Sequence, residues 1–432
     1  TIVATLKVSP NAAGTGVFDL RPILANYVSP DYSGGHVDSG AGAGFFSEFR
    51  GQPYSIATPH PIHCIDKYST SRNSLRFVGL NFSPVFSYTP TGNPSAHSGQ
   101  AGNNSNIILY NGYLKREDIL TKSPNFNGMG YDLDGMANVI MKDSTSKFLT
   151  NAPIQQYVTL LDYGTLSFFS MQKGAMADFV IGSASATEPA IHRIKVTMYN
   201  AAGGGLVTFY VDCTNANGGA YGYTFRGEHR LQYIGSCPAN FRWSSAWTAN
   251  EALCAYYIVT AEDDVPAQIS KEYRFDIIDS DCKGYEPIRL TWLNKYGTWD
   301  YYTFNKKSTR STSTKRSEYQ QLKGSWNEDA YMLHGYQGGK KNFRVNSKES
   351  IKINTDYMNE EDAIWFEELI NSPEVYILKG LQGTTYTHMT NRYVEPVLLK
   401  TSNFIRKTKA NDRLIQYTFT IERNTFNETQ SI

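Results

Sequence analysis

Residues 285–305 read YEPIRLTWLNKYGTWDYYTFN, and this stretch decides the fold class. Side chains along an extended strand alternate between its two faces, so Ile288, Leu290 and Trp292 share one face and Arg289, Thr291 and Leu293 the other. The next four residues, Asn294-Lys295-Tyr296-Gly297, carry turn chemistry, since Asn and Gly tolerate the positive φ that other residues avoid. Thr298 to Phe304 then runs extended again, which predicts a β-hairpin. Trp292, Trp299, Tyr301, Tyr302 and Phe304 give that hairpin more aromatic surface than two strands bury on themselves. It is therefore a docking element, packing against a neighbouring domain, a ligand or another subunit.

Composition agrees with a β-rich chain. Gly (35), Tyr (30) and Phe (22) are abundant and charged residues make up only 19%, a mixture suited to strands and turns. A length of 432 residues exceeds one ordinary core and predicts two to four domains. The formal net charge of +1 supplies no global field to draw the chain onto nucleic acid or an anionic membrane, so any electrostatic partner must be met locally. No apolar run approaches the ~18 residues of a spanning helix, and no signal-peptide plan opens the sequence, which predicts a soluble chain. Since Thr1 leads straight into strand-like alternation, the initiator Met is expected to have been removed or to lie outside this sequence. Five cysteines, Cys64, Cys213, Cys237, Cys254 and Cys282, stand far apart without a CxxC pair, and are expected to be reduced, half-buried thiols.

Along the chain, residues 1–182 read as a loop-rich β region. A helical segment lies near Phe18–Val28, capped by Asp19 with Pro22 in the first turn. Residues 183–284 read as a β-sandwich, opened by an alternating pair of strands around NAAGGG. Residues 285–432 read as an α+β domain in which a helix after Asn359 lies on a sheet. That helix shows Ile364, Trp365, Leu369 and Ile370 as its apolar stripe, acidic residues in its first turn and a stop at Asn371-Ser372-Pro373. The sheet beneath it is expected from Ser350–Asn354, Glu374–Leu378, Val394–Lys400 and Arg413–Arg423. The overall expectation is a mainly β, multidomain protein with long loops.

No stretch carries a catalytic signature. His60, His63, Cys64 and Asp66 form the one cluster of metal-ligand types, but Pro61 prevents the regular helix that would bring the histidines together. Asp132-Leu133-Asp134-Gly135 lacks the rest of a calcium loop. Asp276, Asp279 and Asp281 end a strand without a nucleophile or base beside them. We therefore expect no enzyme activity, no cofactor and no metal. Residues 305–316, NKKSTRSTSTKR, hold five cations and no carboxylate. They read as a basic loop whose Lys306, Lys307 and Arg310 contact a partner subunit, along with Trp292, Trp299 and Tyr301 of the hairpin; nucleic acid is an unlikely partner at this local charge. Abundant Tyr and Trp suit protein hot spots and sugar stacking alike.

Several phrases resemble a known class. ATLKVSPNAAGTGVFDLRPILANYVSP near the start, FLTNAP and DYGTLSF in the middle, the hairpin itself and LKTSNFIRKTKANDRLIQYTFTIE near the end are similar to virion structural proteins, of tail or baseplate type, of tailed bacteriophages from marine and Bacteroidota-type hosts. The resemblance implies a particle protein located in the virion, whose partners are copies of itself and other virion proteins. The alternative expectation is an extracellular, lectin-like β-sandwich that binds glycans, including those of a host surface.

Overall fold

The computed structural model describes residues 4–9, 18–33, 61–71, 73–82, 103–113, 143–169, 191–213, 231–263, 265–278, 285–327, 330–333, 338–380, 394–403 and 415–423, with shorter pieces between them. The protein is mainly β: among the described residues 47% are strand against 12% helix, in several sheets with few helices. By contacts it divides into two units. The first comprises Thr1–Ile278, Thr291–Tyr302 and Lys379–Tyr393; the second comprises Asp279–Leu290, Thr303–Leu378 and Val394–Ile432. No described helix is long and apolar enough to cross a membrane.

Two sheets of the first unit share one core. A five-stranded sheet runs in the order Gly205–Asp212, Arg193–Tyr199, Tyr256–Glu262, Tyr273–Ile277, Gln155–Val158, and its last pairing is parallel. A three-stranded antiparallel sheet runs Tyr68–Thr70, Leu231–Gly235, Thr165–Phe169. Alternation sends Ile194, Val196 and Met198 inward, where they meet Phe209, Val211, Tyr257, Val259 and Phe275 from neighbouring strands and Leu166, Phe168 and Ile234 from the smaller sheet. Burying such side chains contributes roughly 1.5–3 kcal/mol each relative to exposure, which makes this core the unit's main source of stability. Five of these eight strands lie within 183–284, and the other three come from earlier in the chain. The NAAGGG turn forms as its sequence predicts: Asn200 Oδ1 accepts from the amides of Ala202 and Gly204, and Gly203 takes φ +82°.

The helical segment near residue 20 is a short α-helix, Arg21–Leu24, running into a 3-10 turn, Ala25–Tyr27, with Pro22 in its first turn. Leu20, not Asp19, occupies the cap position and makes no side-chain cap hydrogen bond; Asp19, one residue earlier, accepts from the Arg21 amide and also binds the Arg21 side chain. The Arg21 hydrogen bonds hold the Asp19 carboxyl below its ordinary range.

A seven-stranded sheet has the order Trp299–Phe304, Ile288–Leu293, Val375–Leu378, Val394–Leu399, Thr418–Arg423, Gly339–Asn354, Thr309–Gln321. Phe304, Phe366 and Phe419 form an aromatic cluster in the second unit, with Phe366 and Phe419 centroids 5.4 Å apart. Phe366 brings the helical stretch after Asn359 onto the sheet. Three details depart from the sequence reading. Asn359 occupies the cap position but makes no side-chain cap hydrogen bond. The helix breaks at Trp365 into Glu360–Ile364 and Phe366–Asn371, which shifts its phase. Ala363, Trp365, Phe366 and Leu369 are buried as a result, whereas Ile364 faces solvent. The third departure is residues 305–316, which are not a loop: from Thr309 they form the first half of a strand.

Candidate functional site

The hairpin is seated by its turn. Asn294, almost fully buried, accepts from the amides of Tyr296 (2.9 Å) and Thr298 (3.1 Å) through Oδ1. Its Nδ2 donates to the Leu149 carbonyl (2.9 Å) and to Asp300 (2.8 Å). Thr298 Oγ1 donates to the same Leu149 carbonyl, so the FLTNAP segment is the seat of the turn. Gly297 sits at φ +66°, and a Cβ there would lie 1.8 Å from the Asn111 carbonyl oxygen. Only glycine fits both constraints.

The three aromatic side chains expected to contact a partner subunit are buried within the chain itself. Trp292 and Trp299 are essentially inaccessible and Tyr301 is nearly so. Trp299 Nε1 donates to the Asp31 carbonyl at 2.9 Å, and its ring meets His63 edge-on at 4.9 Å. The Tyr301 hydroxyl is hydrogen-bonded to His63 Nδ1 and Thr165 Oγ1, both at 2.8 Å. Asp31 in turn accepts from Ser71 Oγ, the Asn73 amide and the Tyr233 hydroxyl. Burial, reinforced by the Asp31 charge, drives the Tyr233 hydroxyl well above its ordinary pKa. The docking surface the hairpin required is thus supplied by Asp31, His63, Leu149, Asn151 and Thr165 of its own chain. His63 is engaged in this cluster, while His60 and the Asp132–Gly135 turn lie outside the described residues, as do Asp279 and Asp281.

The cations behave differently from one another. Lys306 pairs with Asp356 at 2.8 Å. Lys307 is exposed, and its carbonyl accepts from Asn354. Arg310 binds both oxygens of Glu286 at 2.6 and 2.7 Å and Glu349 at 3.0 Å. Glu349 also receives Arg423, which holds Glu395 in turn. The hydrogen bonds that Arg310 donates to Glu286 first, then to Glu349, raise its pKa. Isolated surface pairs contribute only ~0–1 kcal/mol, but this linked set fixes one geometry at one place. That place is the base of a long strand pair, so Lys306 and Arg310 are committed within the second unit.

That strand pair is the exposed feature the sequence reading missed. Thr309–Gln321 and Gly339–Asn354 pair antiparallel from Thr309↔Lys352 to Gln321↔Gly339, with a bulge after Ser317. Thr418–Arg423 pairs with the second strand only from Ser350 to Asn354. From Thr312↔Glu349 onward the ladder therefore continues as two strands alone for ten residues, Thr312 to Gln321, about 33 Å at ~3.3 Å per residue. It ends in a smaller pair, Gly324–Asn327 with Ala330–Leu333. Apolar side chains stand open there: Leu322 is 81% exposed, Trp326 74%, Leu333 72% and Phe343 71%. Trp326 and Tyr331 touch edge to face at 5.6 Å and otherwise face solvent. An isolated two-stranded ribbon is marginal in water, and several large apolar side chains gathered at one tip mark an interaction surface. We call residues 312–349 the arm.

Compared with family models, curated proteins and solved structures, the chain gives no match.

Proposed function

We propose that this protein is a structural component of a tailed-phage particle, in tail or baseplate, that acts by assembling rather than by catalysis. The arm is the observation that supports this reading most strongly. A ribbon ten residues long with Leu322, Trp326 and Leu333 open to water is a poor use of apolar surface in a monomer and an effective one in an assembly. The phage-like phrases and the small net charge support the same reading. The glycan-binding alternative has an observation of its own, the tyrosines on the outer face of the five-stranded sheet. Two of them are already covered, however: the Arg193 guanidinium lies over Tyr210 at 4.1 Å and that of Arg274 over Tyr256 at 3.8 Å. Covered ring faces are not free to stack on a sugar.

Negative-stain microscopy and sedimentation of the purified chain test the proposal. Rings, tubes or fibres are expected. A stable monomer at high concentration that binds a glycan array would favour the lectin instead.

A further inference from the structure

We infer that the arm docks, head to tail, onto the body of a second copy of this chain. This rests on the assembling reading above and names its partner. The argument is one of charge. The arm, residues 312–349, holds seven cations, Lys315, Arg316, Lys323, Lys340, Lys341, Arg344 and Lys348, against four carboxylates, Glu318, Glu328, Asp329 and Glu349. That is a net +3 in a chain of net +1, so the remaining residues sum to −2; the stretch 360–371 alone carries five carboxylates and no cation.

Two consequences follow. Pairing of two arms is disfavoured, because +3 would meet +3 along open strand edges, where lysine is the usual guard against edge-to-edge pairing. The rest of another copy, by contrast, sums to the opposite sign, with Glu360, Asp362 and Glu367 of its acidic stretch not buried. A contact between two different patches on identical subunits is heterologous, and it propagates into a ring when the rotation closes or a filament when it does not. Within the arm, Lys315, Arg316, Lys323 and Lys340 are exposed and make no ion pair among the described residues, so their charge is available to a partner. The base is different, since Arg310 and Lys348 are paired there with Glu286, Glu349 and Glu422. The arm is thus anchored at one end by internal ion pairs and carries most of its cations on its two long strands. Near its tip Trp326 and Leu333, with Glu328 and Asp329 between them in sequence, are placed to be buried by the neighbour after charge has aligned it.

The test uses the full chain, the triple variant Lys315→Glu/Arg316→Glu/Lys340→Glu, and an armless chain in which an Asn-Gly turn joins Ser311 directly to Ser350, its ladder partner. Analytical ultracentrifugation is run at about 50 and 300 mM salt, with circular dichroism to confirm the fold. The expected results are self-association of the full chain that weakens at least tenfold at higher salt, and at least tenfold weaker association of the triple variant. The armless chain should be monomeric alone yet incorporate into wild-type assemblies and shorten them, because it still accepts an arm. Undiminished assembly of both folded variants would overturn this inference and leave the assembling reading standing. Armless chains that neither associate nor enter wild-type assemblies would overturn the head-to-tail arrangement. A monomeric full chain whose arm retains duplex DNA or RNA at 300 mM salt would overturn both readings.

Discussion

Replacing Asn294 by alanine should unseat the hairpin. The side chain makes five hydrogen bonds in a nearly water-free site, and alanine removes all of them. The Leu149 carbonyl keeps a donor in Thr298 Oγ1 at 2.9 Å, so it is not orphaned. The amides of Tyr296 and Thr298 lose the acceptor that Oδ1 supplied, and each buried donor left without a partner costs about 1–3 kcal/mol. With the donor lost to Asp300, the sum is about 3–5 kcal/mol. At roughly 2–3 °C per kcal/mol for a body of this size, the melting midpoint should fall by roughly 6–15 °C. Asn294→Asp is a sharper probe. It keeps the acceptor for both amides but sets a second carboxylate against Asp300, where Nδ2 now lies 2.8 Å away. Like charges so close cannot both remain ionised without cost, so this variant should recover stability as pH falls and one carboxyl takes a proton. Thermal unfolding followed by near-ultraviolet circular dichroism at pH 7 and pH 4 reads both effects. If Asn294→Ala melts within 2 °C of the parent, the turn is not what seats the hairpin.

Two glycines give a paired prediction. Gly297→Ala should destabilise by several kcal/mol or fail to fold, given its positive φ and the Asn111 carbonyl in the way, whereas Gly205→Ala, with nothing within 4 Å, should melt within about 0.5 kcal/mol of the parent. Cys64, Cys213, Cys237 and Cys254 are buried free thiols, and burial pushes Cys254 up to about 11. Native protein at pH 8 should therefore leave these four unalkylated by iodoacetamide while urea-unfolded protein reacts at all of them; peptide mass spectrometry that finds Cys213 modified in the native state would contradict its burial. Hydrogen bonds from Lys400 and Lys348 lower the Glu422 pKa. A carboxyl depressed by folding stabilises at pH above its unfolded value of about 4.3, and that contribution is lost as pH falls through its folded pKa. Glu422→Gln should flatten the acid limb of the stability profile below about pH 4.3, and an unchanged limb would show that the pairing adds nothing.

Much of the fold was legible because its signals are local. Alternation at Ile194, Val196 and Met198, the NAAGGG turn and the Asn-to-Gly turn of the hairpin each act within a few residues, and each formed as read. The destination of the hairpin was not legible: Trp299 finds the Asp31 carbonyl and His63, partners whose positions in space no local pattern encodes. The helix stripe was legible in part: Trp365 and Leu369 are buried as read, but Ile364 is not, since Phe366 packing on Phe419 and Phe304 selects a face that the Ile364–Ile370 spacing does not indicate. The arm escaped notice because a ribbon exposed on both sides has no buried face, and STSTKRSEYQQ shows no apolar alternation to find. Its usable signal was β-branched threonine at period two, followed by Leu322 and Trp326 in an otherwise polar run.

The division of the hairpin between the two units has a consequence for synthesis. Its tip, Thr291–Tyr302, belongs with a unit most of whose residues end at Ile278, while its base belongs to the unit that follows. A chain made from its N-terminus at about 5–20 residues per second therefore completes the two-sheet core about 1–5 s before the residues that cover Asp31, His63 and the Leu149 carbonyl exist. During that interval the seat of the turn is an open, partly polar slot. It is closed by a contact between residues 268 positions apart in the sequence, from Trp299 back to Asp31. Loop closure over such a span rises only slowly with length, so the delay is set by translation rather than by the search. Closure of the first unit is thereby tied to the start of the second.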